Sequence, residues 1–347
     1  MTADTVGLTI DWELARRTAT RFAGDGPQVG APAARAAVAD LRASAAQATA
    51  HVASFTGLDA PVGSADAVVV DRPRWIAANI AGLRTVVDPV MARAPLGRSA
   101  SVAPRLAAVE IGAALGFLSS KVLGQYELFT APDEPPRLLF VAPNVVAVEQ
   151  KLDLSPHDFR LWVALHEETH RVQFGAVTWL GPWLRDQIDG YLAGLDLDPR
   201  VLSERLRQAI GALSGAARGL DITAVMQSLL TPDQRATLDR LTAVMSLLEG
   251  HADVVMDGVG REVLPTVDVL RARFQERRED PSLFEGFIRR LLGLDAKLRQ
   301  YRDGAAFVRA VVDVVGMPGF NAVWSAPDAL PSRDELHDPD LWLKRVQ

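Results

Sequence analysis

A chain of 347 residues with 37 Lys and Arg against 43 Asp and Glu has a formal net charge of −6, which leaves no basic excess to hold a phosphate backbone and excludes nucleic acid as a first choice of partner. At 48% hydrophobic and 23% charged residues, the composition is that of an ordinary globular protein and excludes disordered and collagen-like classes. There is no cysteine, so disulfides, thiolate metal sites and a cysteine nucleophile drop out together, and any metal must be held by histidine and carboxylate.

In chain order, residues 1–22 carry Asp4, Asp11, Glu13, Arg16 and Arg17 and lack a basic start followed by an apolar stretch, so they do not read as a signal peptide. The alanine-rich segment 31–53 is expected to be a packed helix, because Val38, Leu41, Ala45, Ala48, Val52 and Phe55 recur at helical spacing. Ala67–Val70 reads as a strand, and 73–92 and 104–123 read as helices. The most apolar stretch, 106–118, is interrupted by Glu110 and is shorter than the roughly 20 residues of a membrane span. No basic amphipathic helix is evident either, so no membrane partner is expected and the expected location is cytoplasmic.

Leu138–Val141 reads as a second strand, bounded by Pro135-Pro136 and Pro143-Asn144. Helices are then expected at 156–177, 233–256, 283–290 and 294–315. Strands this few make a small sheet, so the fold class is α+β and predominantly helical. The Gly- and Pro-rich loops at 24–32, 57–63, 130–136 and 317–331 are too short to link independent domains. A single unit over 1–347 is expected, organised as a mainly helical lobe, 1–130, and a second lobe, 131–347.

The residues that carry chemistry begin with His166-Glu167-Glu168-Thr169-His170, a match to H-E-x-x-H. A helix puts both imidazoles on one face one turn apart, with Glu167 beside them. Punctuation for that helix is present: Ser155 as N-cap, Pro156 at the first helical position and Asp158 where a capping-box carboxylate reaches back. At roughly 100° per residue, Phe159, Trp162, Val163, His166, His170, Gln173 and Phe174 share one face with Glu167 on its shoulder. Leu161, Leu165 and Val172 form a second apolar strip, which leaves the side of Arg160, Glu168 and Arg171 for water. Hydrogen-bonded core histidines are the bland alternative, but spacing, glutamate, caps and burial pattern agree on a metal site.

Zinc held this way needs a third protein ligand. Glu249, in Leu248-Glu249-Gly250-His251-Ala252-Asp253, borders the apolar stripe of Leu241, Val244, Met245, Leu248, Ala252, Val255 and Met256, and Asp253 follows one turn later on the same side. Asp253 is either a partner for the free ring N–H of a ligating histidine or a solvated helix end. His251 lies roughly 160° around an unbroken helix from Glu249, so it is a ligand in Glu249's place, a core histidine, or a donor reaching substrate from the opposite shoulder.

His166-Glu167-x-x-His170 followed by Glu249-x-x-x-Asp253 resembles the gluzincin arrangement of metallopeptidases. Further stretches extend the resemblance over nearly the whole chain, among them Asp11-Trp12, Val70-Asp71-Arg72-Pro73, Trp75-Ile76, the segments 116–120 and 122–126, Val141-Ala142-Pro143-Asn144, Phe159-Arg160-Leu161-Trp162 and 294–301. They are similar to the bacterial zincin-like metallopeptidase family, described as hydrolases associated with biosynthesis of a deazaflavin coenzyme. The resemblance implies a mostly helical zincin-like fold, His166, His170 and Glu249 as metal ligands, Glu167 as general base and Asp253 as an orienting partner. Gluzincins add a Tyr or His that stabilises the oxyanion, which here falls among Tyr126, Tyr191, Tyr301, His157 and His251, with His251 and Tyr191 as the candidates carried forward.

The expected activity is zinc-dependent hydrolysis of amide bonds in a peptide or small amide, with one Zn²⁺ per chain and Glu167 moving the proton. The first rival is an inactive zincin-fold protein that acts through protein partners. A carboxylate-bridged di-iron protein is the second, but its Glu-x-x-His pair must occur twice and only Glu167-x-x-His170 is present. The strand Leu138–Val141 could hold an extended peptide by strand addition if it lies at a sheet edge near the site.

Overall fold

The computed structural model describes residues 10–59, 67–93, 103–130, 134–194, 230–279 and 300–346. Two helices open the described chain, α1 (Trp12–Phe22) and α2 (Ala31–Thr56). Strand β1 (Ala67–Val70), helices α3 (Arg72–Arg93) and α4 (Ala103–Ser119), and strands β2 (Gly124–Tyr126) and β3 (Leu138–Val141) follow. Then come α5 (Ala142–Lys151), α6 (Pro156–Ala176), α7 (Leu180–Ala193), α8 (Pro232–Val263), α9 (Val267–Glu279) and α10 (Gln300–Phe320). Two 3₁₀ turns and the short helices α11 (Arg333–His337) and α12 (Pro339–Val346) close the chain. The expected helix 283–290 and the first part of 294–315 lie outside the described residues.

The sheet has the order β1-β3-β2, with β1 parallel to β3 and β2 antiparallel to it. All four residues of β3 are buried, as a continuous Leu-Leu-Phe-Val run requires of a strand covered on both faces. Alternation then splits the core: Leu138 and Phe140 face α2 and α6, whereas Leu139 and Val141 face Trp75, Ile76 and Leu115 of α3 and α4. The pairing of β1 with β3 joins residues on both sides of position 130 in one sheet. The condition for peptide holding by Leu138–Val141 is not met, because this is the central strand and has no edge to offer. The edges are β1 and β2, the latter a three-residue strand too short to show period-2 alternation in the sequence.

Helix α6 packs on α2 and α8, and its apolar residues Phe159, Leu161, Trp162, Val163 and Leu165 are buried in the sheet-facing core. The side of α6 assigned to water is buried as well. Arg160 donates to Glu149 on α5 at 3.0 and 2.5 Å and to Asp40 on α2 at 3.1 Å, and Arg171 is paired with Glu168 through a 2.7 Å bond and a second, shorter one. A projection of one helix cannot see that α2 and α5 bring carboxylates to that side. Ser155 stands at the N-cap without a side-chain cap bond, and Asp158 instead accepts from the Thr266 hydroxyl next to α9.

Helix α8 starts from a complete capping box, Thr231 with Gln234, and runs 32 residues without a break. It passes α10 at Gly250 and Gly304, where a methyl on either glycine would overlap the other helix's backbone. The segment Asp303–Trp324 is long and apolar enough by composition to cross a membrane, at a mean hydropathy of 1.3. In the fold it kinks at Gly316 (φ 72°) and Pro318 and buries Phe307, Val308, Val311 and Phe320 against α8.

Candidate metal centre

Two helices bring three donors together. The i, i+4 spacing on α6 sets His166 and His170 over each other, with Nε2 atoms 3.2 Å apart. From α8, Glu249 reaches across so that its oxygens stand 3.4 Å from His166 Nε2 and 3.7 Å from His170 Nε2. One ligand atom from each residue falls within 4.8 Å of the other two. Donors bound at 2.0–2.2 Å to a tetrahedral zinc stand about 3.3–3.6 Å from one another, so the spacing of this nitrogen, nitrogen and oxygen set fits that ion.

Glu167 is buried beside them under strand β2. A Cβ on Gly124 would lie 2.6 Å from Glu167 Cδ, so only glycine lets the edge strand rest on that carboxyl. Burial pushes the Glu167 carboxyl up to about 7; the positive charge of His166 works against the shift and the charge of Glu249 adds to it. Burial also opposes charge on His166, but the hydrogen bond and charge of Glu249, with Glu167 and Asp253 behind it, prevail and hold that imidazole at about 9. His170 goes the other way. Burial and the neighbouring His166 lower it below the usual histidine range, against the pull of Glu249.

Asp253 lies one turn beyond Glu249, and its charge favours the protonated form of both histidines. The atom that faces the free ring nitrogen of His170 belongs to a different residue: Gln173 Oε1 is 2.9 Å from His170 Nδ1. Gln173 Nε2 is in turn 3.0 Å from Leu248 O and 3.0 Å from His251 Nδ1. His251 is fully buried between the rings of Phe320 and Trp324, at 5.2 and 5.6 Å, and its pKa falls to about 3 through burial and the charge of His170. Because α8 does not break at Gly250, His251 points away from the donors and does not line the cavity above them. His157 is exposed and bonded to Asp40, and the side chain of Tyr301 lies outside the described residues.

His166, Glu167, His170 and Glu249 open into a cavity of about 1030 Å³ with walls that include Leu83, Phe129, Leu184, Ile188 and Leu241. Two tyrosines share it. Tyr191 comes from α7, with its phenol pKa raised by burial, and Tyr126 comes from β2, stacked on Phe174 at 5.4 Å. Gly124 and Tyr126 stand in the segment 122–126 that carries the resemblance, and Tyr126 was among the oxyanion candidates, but Gly124 was given no role at the centre. Gln173 was given none either, although it stood on the ligand face three positions after His170.

The model of a family described as zincin-like metallopeptidase matches residues 10–343. A crystal structure described as "a putative hydrolase with a novel fold from Chloroflexus aurantiacus" superposes with a TM-score of 0.73 at 32% identity, covering 97% of this chain and 98% of that one. No curated protein matches the chain. The chain therefore belongs to the zincin-like metallopeptidase family, whose metal is typically zinc.

Proposed function

We propose that this protein is a zinc-dependent hydrolase of amide bonds, acting on a peptide or small amide, with His166, His170 and Glu249 as the ligands. The observation that carries the proposal is the convergence of these three donors within 4.8 Å on the floor of a cavity they share with the buried Glu167. Zinc bound there would polarise a carbonyl and make a coordinated water acidic near neutral pH. Three protein ligands leave room for a fourth.

Glu167 takes a proton from water and returns it to the leaving amine. Its burial raises the carboxyl above the usual carboxylate range, which suits a group that must both take and return a proton. Tyr191, whose phenol lines the same cavity, donates to the oxyanion. His251 is given no such part, being sealed from the cavity. The peptide-holding role considered for β3 passes to β2, which is paired on one side only among the described residues and crosses Glu167 at Gly124.

The test is elemental analysis of protein purified without chelator, followed by a peptide-library assay with Glu167→Gln as control. Near-stoichiometric zinc that is lost in Glu249→Ala, with cleavage lost in Glu167→Gln, supports the proposal. No zinc even after reconstitution overturns it. Zinc without turnover would favour the inactive relative that acts through protein partners.

A further inference from the structure

We infer that Gln173 and His251 are positioning residues, a brace between the two ligand-bearing helices that fixes the ring state of His170 and its register against Glu249. The inference rests on the metal reading above and adds to it a chain of hydrogen bonds with only one consistent assignment. It starts at a backbone atom. The carbonyl of Leu248 can only accept, so the group 3.0 Å from it must be the amide NH₂ of Gln173. The other end of the same amide, Oε1, then faces His170 Nδ1 at 2.9 Å. An oxygen there can only accept, so Nδ1 carries the proton and Nε2 presents its lone pair toward Glu249, the state a metal ligand needs.

The second N–H of the Gln173 amide points at His251 Nδ1, 3.0 Å away. That nitrogen must accept, which places the His251 proton on Nε2. His251 Nε2 is buried and makes no hydrogen bond among the described residues, enclosed as the ring is by Phe320 and Trp324. A core position built only for packing would hold phenylalanine more readily, since a sealed donor without a partner is unfavourable. What histidine offers there, and phenylalanine lacks, is the Nδ1 acceptor. Gln173 is itself fully buried, with oxygen and both N–H groups engaged, so its amide has no alternative orientation. Leu248 immediately precedes Glu249, so the same amide ties the helix of the third ligand to the helix of the second.

The experiment measures zinc affinity by chelator competition and the visible spectrum of the cobalt-substituted protein, for the parent, Gln173→Leu and His251→Phe, with thermal unfolding of each metal-free form. Gln173→Leu is expected to weaken zinc roughly 10- to 100-fold and to alter the cobalt bands. His251→Phe is expected to weaken zinc less, by roughly threefold to tenfold, while its unfolding temperature stays level, because the unpaired Nε2–H is gone and the second N–H of Gln173 loses its acceptor in exchange. Weaker zinc without loss of stability is an outcome that a merely structural histidine would not give. If Gln173→Leu fails to fold, His251→Phe decides alone. Zinc within twofold of the parent in the folded variants, with unchanged cobalt bands, overturns the brace and leaves the metal reading standing. No zinc in the parent overturns both.

Discussion

The two sides of helix α6 both bury polar groups, and they do so in opposite ways. On one side Arg160 meets Glu149 and Asp40, and Arg171 meets Glu168, each cation against carboxylate at hydrogen-bond distance. On the other, two imidazole nitrogens and two carboxylates, Glu167 and Glu249, converge, and neither carboxylate is paired with an arginine as those on the first side are among the described contacts. One imidazole is then forced to keep a proton, His166 at about 9, while its neighbour is held neutral. The first side is a finished structural arrangement, whereas the second has the donor set that a bound cation would complete. Burial alone does not mark a functional residue; burial among groups that compete for the same missing charge does.

That contrast can be broken from either side. The largest effect expected is from Glu167→Gln, which should lower turnover by roughly 10²–10⁴-fold while zinc content stays at the parent level. On the other side, Arg160→Met leaves Glu149 buried without its partner and should cost about 3–5 kcal/mol of stability, read from urea unfolding, with the zinc affinity of the folded fraction unchanged. Loss of zinc in that variant would mean the two sides are coupled.

Zinc binding sharpens the comparison through pH. Metal-free His166 titrates at about 9 against an ordinary 6.5, so at neutral pH zinc must displace its proton. Affinity should rise about tenfold per pH unit and level off near pH 9, with proton release seen as a buffer-dependent heat of binding. The sign for folding is the reverse: a raised histidine stabilises the metal-free fold below pH 6.5, and that contribution is lost as pH climbs through about 9. Metal-free protein should therefore unfold more readily at pH 9.5 than at pH 7.5. The smallest effect is expected from Ser155→Ala, which removes no cap bond and should change stability by less than about 0.5 kcal/mol, against about 1 for a working cap.

The donors and the two longer strands were legible because their signals are local: i, i+4 spacing, a continuous apolar run, a carboxylate beside a stripe. Helices α2, α3 and α6 stood close to their expected bounds for the same reason, whereas α8 runs on to Val263, past its expected end at Met256. Three kinds of feature were not legible. Helix α5 starts at Ala142, and Pro143, which marks the end of a strand in the sequence, sits in its first turn in the fold. Strand β2 is three residues long and exists because β3 pairs with it. The pairing of Arg160 with Asp40 and Glu149 joins three helices, so no window on one helix contains it. The part of Gln173 falls between: its position was visible on the ligand face, but its partners Leu248 and His251 lie on another helix.

The central claim is that the polar face of α6 and Glu249 of α8 form a metal centre, and X-ray absorption at the zinc edge of protein purified without chelator tests it most directly. Two imidazole nitrogens at about 2.0–2.1 Å with the remaining donors oxygen is the predicted first shell. A shell of three imidazoles, or protein that takes up no zinc, would contradict it.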